Sequence, residues 1–426
     1  MRLRTMRWLD EVAGGALCRG LARLLRLGLG RKASEPNGKP GPALFIGLAE
    51  MGSVVLADPA MERARDIHGA TLHFLIFRQN RDCLSLTGTV RPENVFWLRT
   101  GSLVALAADV LRFMVWARRR GIATAIDIDP RANFPALLAF LSGAARRAGF
   151  RHPDDGESGR SALYNRTVDY RPDLHLARNL MALTDAALEP YPRDSAPRTP
   201  ALPRVARREV TPVERLTVLA RLLALGGDFD PARHRILLVN PNVGDLLPLR
   251  RWPWANFKAL IQAVLARHAD TAVFLLGGEK DVPAVAALEA EVGDPRCRSL
   301  AGVFALAELP ALFASSAVLL SSDSGPAHFA AVTSLPVVAL FGPESPERYR
   351  PLGNATAIAA GLPCSPCLSP GDGRRTGCRD NRCMQAIAVG TVLAEVERRL
   401  AEAVAPAFPY EAAATEPASS PVPLAA

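Results

Sequence analysis

Apolar and polar positions along the chain fall into two alternating patterns. Short apolar runs at residues 43–48, 71–77 and 122–128 predict strands buried on both faces. Segments 103–120 and 134–147 instead repeat apolar positions every three or four residues, the period of an amphipathic helix. Another helix is predicted to start near Pro59, after a glycine turn at Gly52. A second, better punctuated series follows residue 230. Runs at 236–240, 272–276, 317–321 and 337–341 predict strands, and 255–267, 282–292, 309–314, 327–333 and 392–404 predict helices. Strands alternating with helices call for a parallel sheet covered on both faces, which is the α/β class. The expectation is two Rossmann-like domains across a cleft, 43–230 and 231–404, with a Pro/Arg-rich loop at 189–208 and a helix at 212–225.

The ends depart from this pattern. Residues 1–32 place Leu, Trp, Val and Ala at helical spacing among Arg2, Arg4, Arg7, Arg19, Arg23, Arg26, Arg31 and Lys32. A basic amphipathic helix of this kind suits an anionic membrane interface, with docking on the protein's own surface as the second reading. Asp10 and Glu11 break its apolar run and it lacks a small-residue cleavage site, which argues against a signal peptide. Residues 33–42 read as a linker, and 405–426, rich in Ala, Pro and Ser, as a disordered tail.

Composition narrows the class. With 49% hydrophobic and 22% charged residues, the 426-residue chain has a globular make-up. No apolar run reaches the roughly 18–20 residues of a membrane-spanning helix. The net charge of +9 fits anionic partners, but only 6% aromatics and no basic-aromatic alternation argue against nucleic acid. Seven scattered or loop cysteines do not make a disulfide scaffold, so a reducing cytoplasm is expected.

The sharpest motif is Ser322-Asp323-Ser324-Gly325-Pro326-Ala327-His328, between an apolar strand and a helix. Asp323 or Ser324 is expected to cap the helix, Pro326 suits its first turn, and Gly325 would let a ligand approach the backbone. Free amides at the positive end of a helix favour an anion such as a diphosphate, with His328 facing it. A capped helix with a core histidine is the plainer alternative. Other strand ends are equally polar or glycine-rich: Asn240-Pro241-Asn242 with Arg250, Arg251 and Lys258 nearby, Gly277-Gly278-Glu279-Lys280-Asp281, and Phe341-Gly342-Pro343. Open α/β sheets bind ligands beyond such strand ends.

Taken together, these motifs resemble glycosyltransferase family 9, the lipopolysaccharide heptosyltransferases of the GT-B fold. The resemblance covers about residues 43–400. It rests on Gly52 with Pro59, Arg250-x-Trp252-Pro253, Gly277-Gly278, Leu300-Ala301-Gly302, Asp323-Ser324-Gly325-Pro326-x-His328 and Leu340-Phe341-Gly342-Pro343, in that order. It implies inverting transfer of a heptose or related sugar from a nucleoside-diphosphate donor, typically ADP-heptose. The acceptor would be a lipopolysaccharide-core or other lipid-linked sugar at the cytoplasmic face of the inner membrane, held by the N-terminal half. Asp323, Ser324, Gly325, Pro326 and His328 would hold diphosphate and sugar, with Gly52, Asn242, Arg250 and Lys258 around them. Asp281, or Glu279, would take the adenosine ribose. A helix terminus and Arg250 would meet the leaving charge, so no metal is expected in catalysis.

One position departs from the family. Its first-loop glycine is followed by an aspartate taken as the base, whereas Gly52 here is followed by Ser53. Glu50 is the first replacement candidate, with Asp58 and Asp129 as alternatives, and a catalytically silent, ligand-binding member is the rival reading. Asp127-Ile128-Asp129 is read as closing a buried strand and not as a metal pair. Cys364-x2-Cys367-x10-Cys378-x4-Cys383 has four thiols that could surround a structural zinc ion. Free thiols ordering a loop are the alternative.

Overall fold

A computed structural model of the chain describes residues 8, 10–27, 41–151, 159–189, 202–244, 247–368 and 376–403. Two parallel six-stranded sheets organise it. The first holds β1 (Ala43–Ile46), β2 (Leu72–Phe77), β3 (Val95–Leu98), β4 (Thr124–Asp127), β5 (Arg146–Arg151) and β6 (Arg166–Asp169), in the order β3-β2-β1-β4-β5-β6. The second holds β7 (Arg235–Asn240), β8 (Thr271–Leu275), β9 (Cys297–Ser299), β10 (Val318–Ser322), β11 (Val337–Phe341) and β12 (Ala355–Ala359). Its order, β12-β11-β10-β7-β8-β9, repeats that of the first sheet. In each, the strand order reverses beside the first strand, between β1 and β4 and between β7 and β10.

The helices follow from the same patterning. Along the chain they are α1 (Gly15–Arg26), α2 (Met51–Asp66), α3 (Leu103–Arg119), α4 (Asn133–Leu141), α5 (Leu176–Leu188) and α6 (Pro212–Ala224), then α7 (Trp254–Arg267), α8 (Val282–Val292), α9 (Leu309–Ala314), α10 (Gly325–Phe329) and α11 (Val389–Glu402), besides shorter turns. Thr211 caps α6 in a reciprocal box with Glu214. Although α6 lies before residue 230, it packs on the second lobe: Arg215 donates to the Ala314 carbonyl at 3.0 Å and Arg221 pairs with Glu308 at 2.7 Å.

Several expectations change. The helix awaited near Pro59 begins at Met51 and carries Pro59 inside it. The single helix expected at 134–147 ends at Leu141, and Arg146 and Arg147 open β5. β3, β6, β9 and β12 were not anticipated from the pattern. The N-terminal helix follows a π-type turn, Asp10–Gly14. It docks on the protein's own first lobe: Asp10 accepts the backbone amides of Asn133 (3.0 Å) and Phe134 (2.6 Å) at the start of α4, and Cys18 and Ala22 are buried beneath it. The linker at 33–42 (save its last two residues), most of the 189–208 loop and the 405–426 tail lie outside the described residues. Among the described residues, no helix is long and apolar enough to cross a membrane.

Candidate active site

Both reversal points send their strand ends toward the seam where the lobes meet. In the second lobe, Asn240 ends β7 and its side-chain amide donates to the hydroxyls of Ser321 (3.0 Å) and Ser324 (2.8 Å) beside β10. Asp323, the next residue after β10, is only 3% exposed. Arg250 donates to its carboxylate at 3.1 Å, and His328 Nε2 stands 3.6 Å from the other oxygen. Burial alone would raise the Asp323 pKa; the charges of Arg250 and His328 outweigh it and hold the carboxyl at about 2. His328 is itself 6% exposed, and its Nδ1, like Arg250 Nε, is buried without a hydrogen-bond partner among the described residues. Both atoms leave hydrogen-bonding capacity open to a polar ligand.

The bend differs in detail from its expected form. Ser324 occupies the N-cap position of α10, but its hydroxyl donates to the Ser322 carbonyl and caps nothing. Asp323 does not cap either, since its oxygens face Arg250 and His328. A Cβ at Gly325 would stand 2.7 Å from the Phe329 ring, so the turn itself also favours glycine here. Gly325 and Pro326 are half-buried, while Asp323, Ser324 and His328 are buried.

Across the seam lies the first loop. A Cβ added at Gly52, in the first turn of α2, would stand 2.8 Å from His328 Cδ2, so α2 and α10 touch here. Gly52→Ala is therefore expected to force the lobes apart locally and cost about 1–3 kcal/mol, read by denaturant unfolding. Glu50 precedes the same turn, and the Ser53 hydroxyl donates to its carboxylate at 3.0 Å. Serine and carboxylate thus form one unit beside His328. Asn80 steadies this loop by donating to the carbonyls of Leu48 (2.9 Å) and Ala49 (3.1 Å).

The other base candidates are placed elsewhere. Asp58 is inside α2, not at its start; it is fully buried, accepts the Thr89 hydroxyl at 2.6 Å, and burial raises its pKa. A carboxyl sealed in this way cannot reach a substrate, so Asp58 is not the base. Asp129 uses one oxygen to accept the amides of Arg131 and Ala132, both at 2.9 Å, which fixes the turn into α4. Asp127 closes β4 in full burial, paired with Arg160 at 3.1 Å and hydrogen-bonded by Tyr164.

The remaining donor-binding candidates are spread along the second sheet's edge. Asn242 donates to the Leu276 carbonyl at 2.8 Å, bridging β7 and β8 ends. Asp281 accepts the Gly278 amide at 2.9 Å and so shapes the Gly277-Gly278 turn, while Glu279 is exposed beside it. Lys258 corrects its expected role: its ammonium pairs with Glu291 at 3.4 Å on the outer surface between α7 and α8. The four-cysteine segment lies beside the turn that carries Arg250. All four are free thiols, and among the described residues no group of three or more His, Cys, Asp or Glu is placed to hold an ion. They share one neighbourhood, since burial and then the other three thiols push Cys383 up. The segment acts on the site structurally: Asn381 donates to the carbonyls of Leu249 (3.2 Å) and Arg251 (3.0 Å), bracing the turn that carries Arg250.

Sequence reasoning missed three features. His175 caps α5 by accepting the Ala177 amide at 3.2 Å and bonds the Arg350 carbonyl of the second lobe at 2.8 Å. Burial pushes its pKa down to about 4. Because the unfolded histidine titrates near 6.5, stability is complete above that pH and falls as pH drops toward 4, by up to about 3 kcal/mol. His175→Asn, which keeps a capping oxygen, is expected to flatten this slope in a pH series of unfolding curves. The second feature is Asn80, which no motif flagged. The third is a cavity of about 490 Å³ beyond the β2 and β3 ends, lined by Arg78, Arg81 and Arg99 with Gln79, Thr100 and Ser102. Arg99 is held by buried Asp109 and Arg81 by Asp82, but Arg78 lies 5.2 Å over the Trp97 ring with no carboxylate partner among the described residues. Three arginines at neighbouring strand ends were the available signal.

The sequence profile described as glycosyltransferase family 9 (heptosyltransferase) matches residues 132–374, more than half of the chain. The chain belongs to glycosyltransferase family 9. Among curated proteins, lipopolysaccharide heptosyltransferase 2 of Salmonella typhimurium is 32% identical over 135 residues, which is 31% of this chain and 38% of that protein. Lipopolysaccharide heptosyltransferase 2 of Escherichia coli K12 is 34% identical over 115 residues, 26% of this chain and 32% of that one. The match thus spans only about a third of these relatives. The fold extends much further: the structure of E. coli ADP-heptose lipopolysaccharide heptosyltransferase II aligns with a TM-score of 0.64 at 20% identity, over 85% of this chain and 99% of that one. E. coli heptosyltransferase WaaC with ADP aligns at 0.58 and 16% identity, over 84% and 99%. The two-sheet architecture is therefore the GT-B fold of these family 9 structures.

Proposed function

We propose that this family 9 chain transfers a heptose, or a related sugar, from a nucleoside-diphosphate donor to a lipopolysaccharide-core or other lipid-linked acceptor, with inversion. One observation carries the reading: Arg250, Asp323 and His328 converge at the second sheet's reversal point, with two polar atoms unpaired, directly opposite Gly52. ADP-heptose is the donor favoured by the relatives' names and by the sugar nucleotide expected of the motif. The diphosphate sits against Arg250 and His328, and Asp281 or Glu279 takes the ribose hydroxyls. Because Gly52 touches His328, the lobes must part to admit the donor and close again around it.

Chemistry then needs a proton acceptor on the acceptor hydroxyl and charge relief on the departing diphosphate. Glu50, joined to the Ser53 hydroxyl, is the acceptor of that proton, and Arg250 meets the leaving charge without a catalytic metal. The acceptor's acidic groups enter the Arg78–Arg81–Arg99 cavity in the first lobe. Work at the cytoplasmic face, with α1 resting on the inner membrane, completes the proposal.

Ser53 after Gly52 favours a second reading, in which the chain binds donor or glycolipid without turnover. Incubation with ADP-heptose and a heptose-deficient core acceptor, followed by mass spectrometry, separates the two. The first reading expects a mass gain of one heptose; donor binding without any gain would leave the silent reading.

A further inference from the structure

We propose that the outward face of α3 is a lipid-contacting surface that lies on an anionic bilayer beside α1. The face is unusual for a surface helix. Leu103 is 55% exposed, Val104 81%, Leu111 64% and Val115 49%. Ala107 and Ala108 are exposed between them, so Val104, Ala108, Leu111 and Val115 form one stripe at spacings of four, three and four. Arg112, Arg118 and Arg119 flank the stripe and are exposed. The only acid on α3, Asp109, is buried under Arg99 and Arg112, so the outward face carries positive charge alone. Arg119 has no ion-pair partner among the described residues.

Charge decides the kind of partner. Helix α6 also exposes apolar residues, Val213, Leu216 and Leu223, but it carries a half-buried acid, Glu214, paired with Arg208 at 2.6 Å, and spends Arg215 and Arg221 on α9, Val303 and Glu308. That face is neutralised from within; α3 is not. Long arginine side chains beside an apolar stripe suit the headgroup level, where guanidinium meets phosphate while Val and Leu enter the acyl boundary. α1, which packs on α4, and α3 both contribute side chains to the same apolar cluster of the first lobe. The outer side of α1 holds exposed Val12 (just before it), Leu17 and Leu24 with Arg19 and Arg23. The arginine-lined cavity opens at the first turn of α3, through Ser102 and Ala105, which sets it at the same level. The inference rests on the proposed function only in taking the bilayer to be the one that holds the acceptor.

Co-sedimentation of the full chain with phosphatidylcholine vesicles, with and without phosphatidylglycerol, tests it in the absence of donor and acceptor. Binding is expected to require phosphatidylglycerol. Val104→Glu with Leu111→Glu is expected to weaken it by more than about tenfold, since full burial of one such side chain is worth that factor. Arg119→Ala is expected to weaken it roughly fivefold. Val213→Glu with Leu216→Glu on α6 serves as the control and leaves binding unchanged. Thermal melting checks that all variants, altered only at exposed positions, remain folded. Equal vesicle binding by wild type and the α3 double variant overturns the proposal, as does loss of binding in the α6 control. So does a concentration-dependent self-association that only the α3 variant loses while vesicles stay unbound, which would make the partner a second copy. Donor-induced thermal stabilisation is unaffected by these exposed changes, so failure here and failure of the sugar-transfer reading stand apart.

Discussion

Arg250→Ala is expected to cost the fold roughly 3–5 kcal/mol and to abolish nucleotide-sugar binding. The guanidinium is the nearest positive charge to a carboxylate that is almost wholly buried, and removing it strands that carboxylate in a low dielectric. Two readouts divide the effect. In the wild type, Asp323 titrates at about 2 against an ordinary 3.8, so its stabilising contribution is complete above roughly pH 4 and is lost as pH falls through 2. R250A is expected to lack that acid limb. Pairing it with Asp323→Asn removes the stranded charge and is expected to recover most of the stability, yet not donor binding. Recovery of both would mean that Arg250 serves only Asp323. A single variant that unfolds like wild type would show the pair to be dispensable.

Glu50→Gln is expected to lower sugar transfer by about 10²–10⁴-fold while leaving donor affinity within a few-fold of wild type. The amide keeps the size of the side chain and still accepts the Ser53 hydroxyl, so the turn into α2 is preserved. What it loses is proton affinity. Ser53→Ala is expected to have a smaller effect, because the hydroxyl orients the carboxylate but takes no proton at neutral pH. If E50Q transfers sugar at the wild-type rate, the base is another group. Asp129 is then next, although one of its oxygens is already engaged by two backbone amides.

The second sheet was the more legible of the two, for a physical reason. Its strands β8 and β11 are apolar but for Thr271 and run into Gly277-Gly278 and Gly342-Pro343, so burial and termination are both written in the local sequence. β5 was hidden because Arg146 and Arg147 read as a helix tail; in the structure Arg146 is buried and donates to the Leu188 carbonyl, and Arg147 donates to the Leu163 carbonyl at 2.8 Å. β12, at the sheet edge, is too poor in large apolar residues to announce itself. Pro59 was read as a helix start because proline favours first turns, but the preceding turn from Met51 packs against α10 and α5, and tertiary contact outweighs the lost hydrogen bond.

For the site, the sequence supplied the strand ends and not their pairings. That Asp323 would take Arg250, seventy-odd residues upstream, or that Ser53 would bond Glu50, depends on side-chain directions that no motif encodes. Asp58 shows the reverse error: proximity in sequence to Gly52 suggested proximity to substrate, while the helical turn sent it to the Thr89 side. Lys258 likewise lay near the right loop but on the outward side of α7. His175 escaped notice because its role is a contact between lobes, and nothing along one strand or helix foretells which carbonyl of the other lobe will meet it.

The central claim is that the Arg250–Asp323–His328 cluster receives a nucleoside diphosphate, and thermal-shift titration of wild type and R250A/D323N with ADP-, UDP- and GDP-sugars tests it most directly. Saturating ADP-heptose, at about 100 times its dissociation constant, is expected to stabilise the wild type by about 2.7 kcal/mol and the double variant not at all. No stabilisation of the wild type by any of the three sugar nucleotides, or equal stabilisation of both proteins, would contradict it.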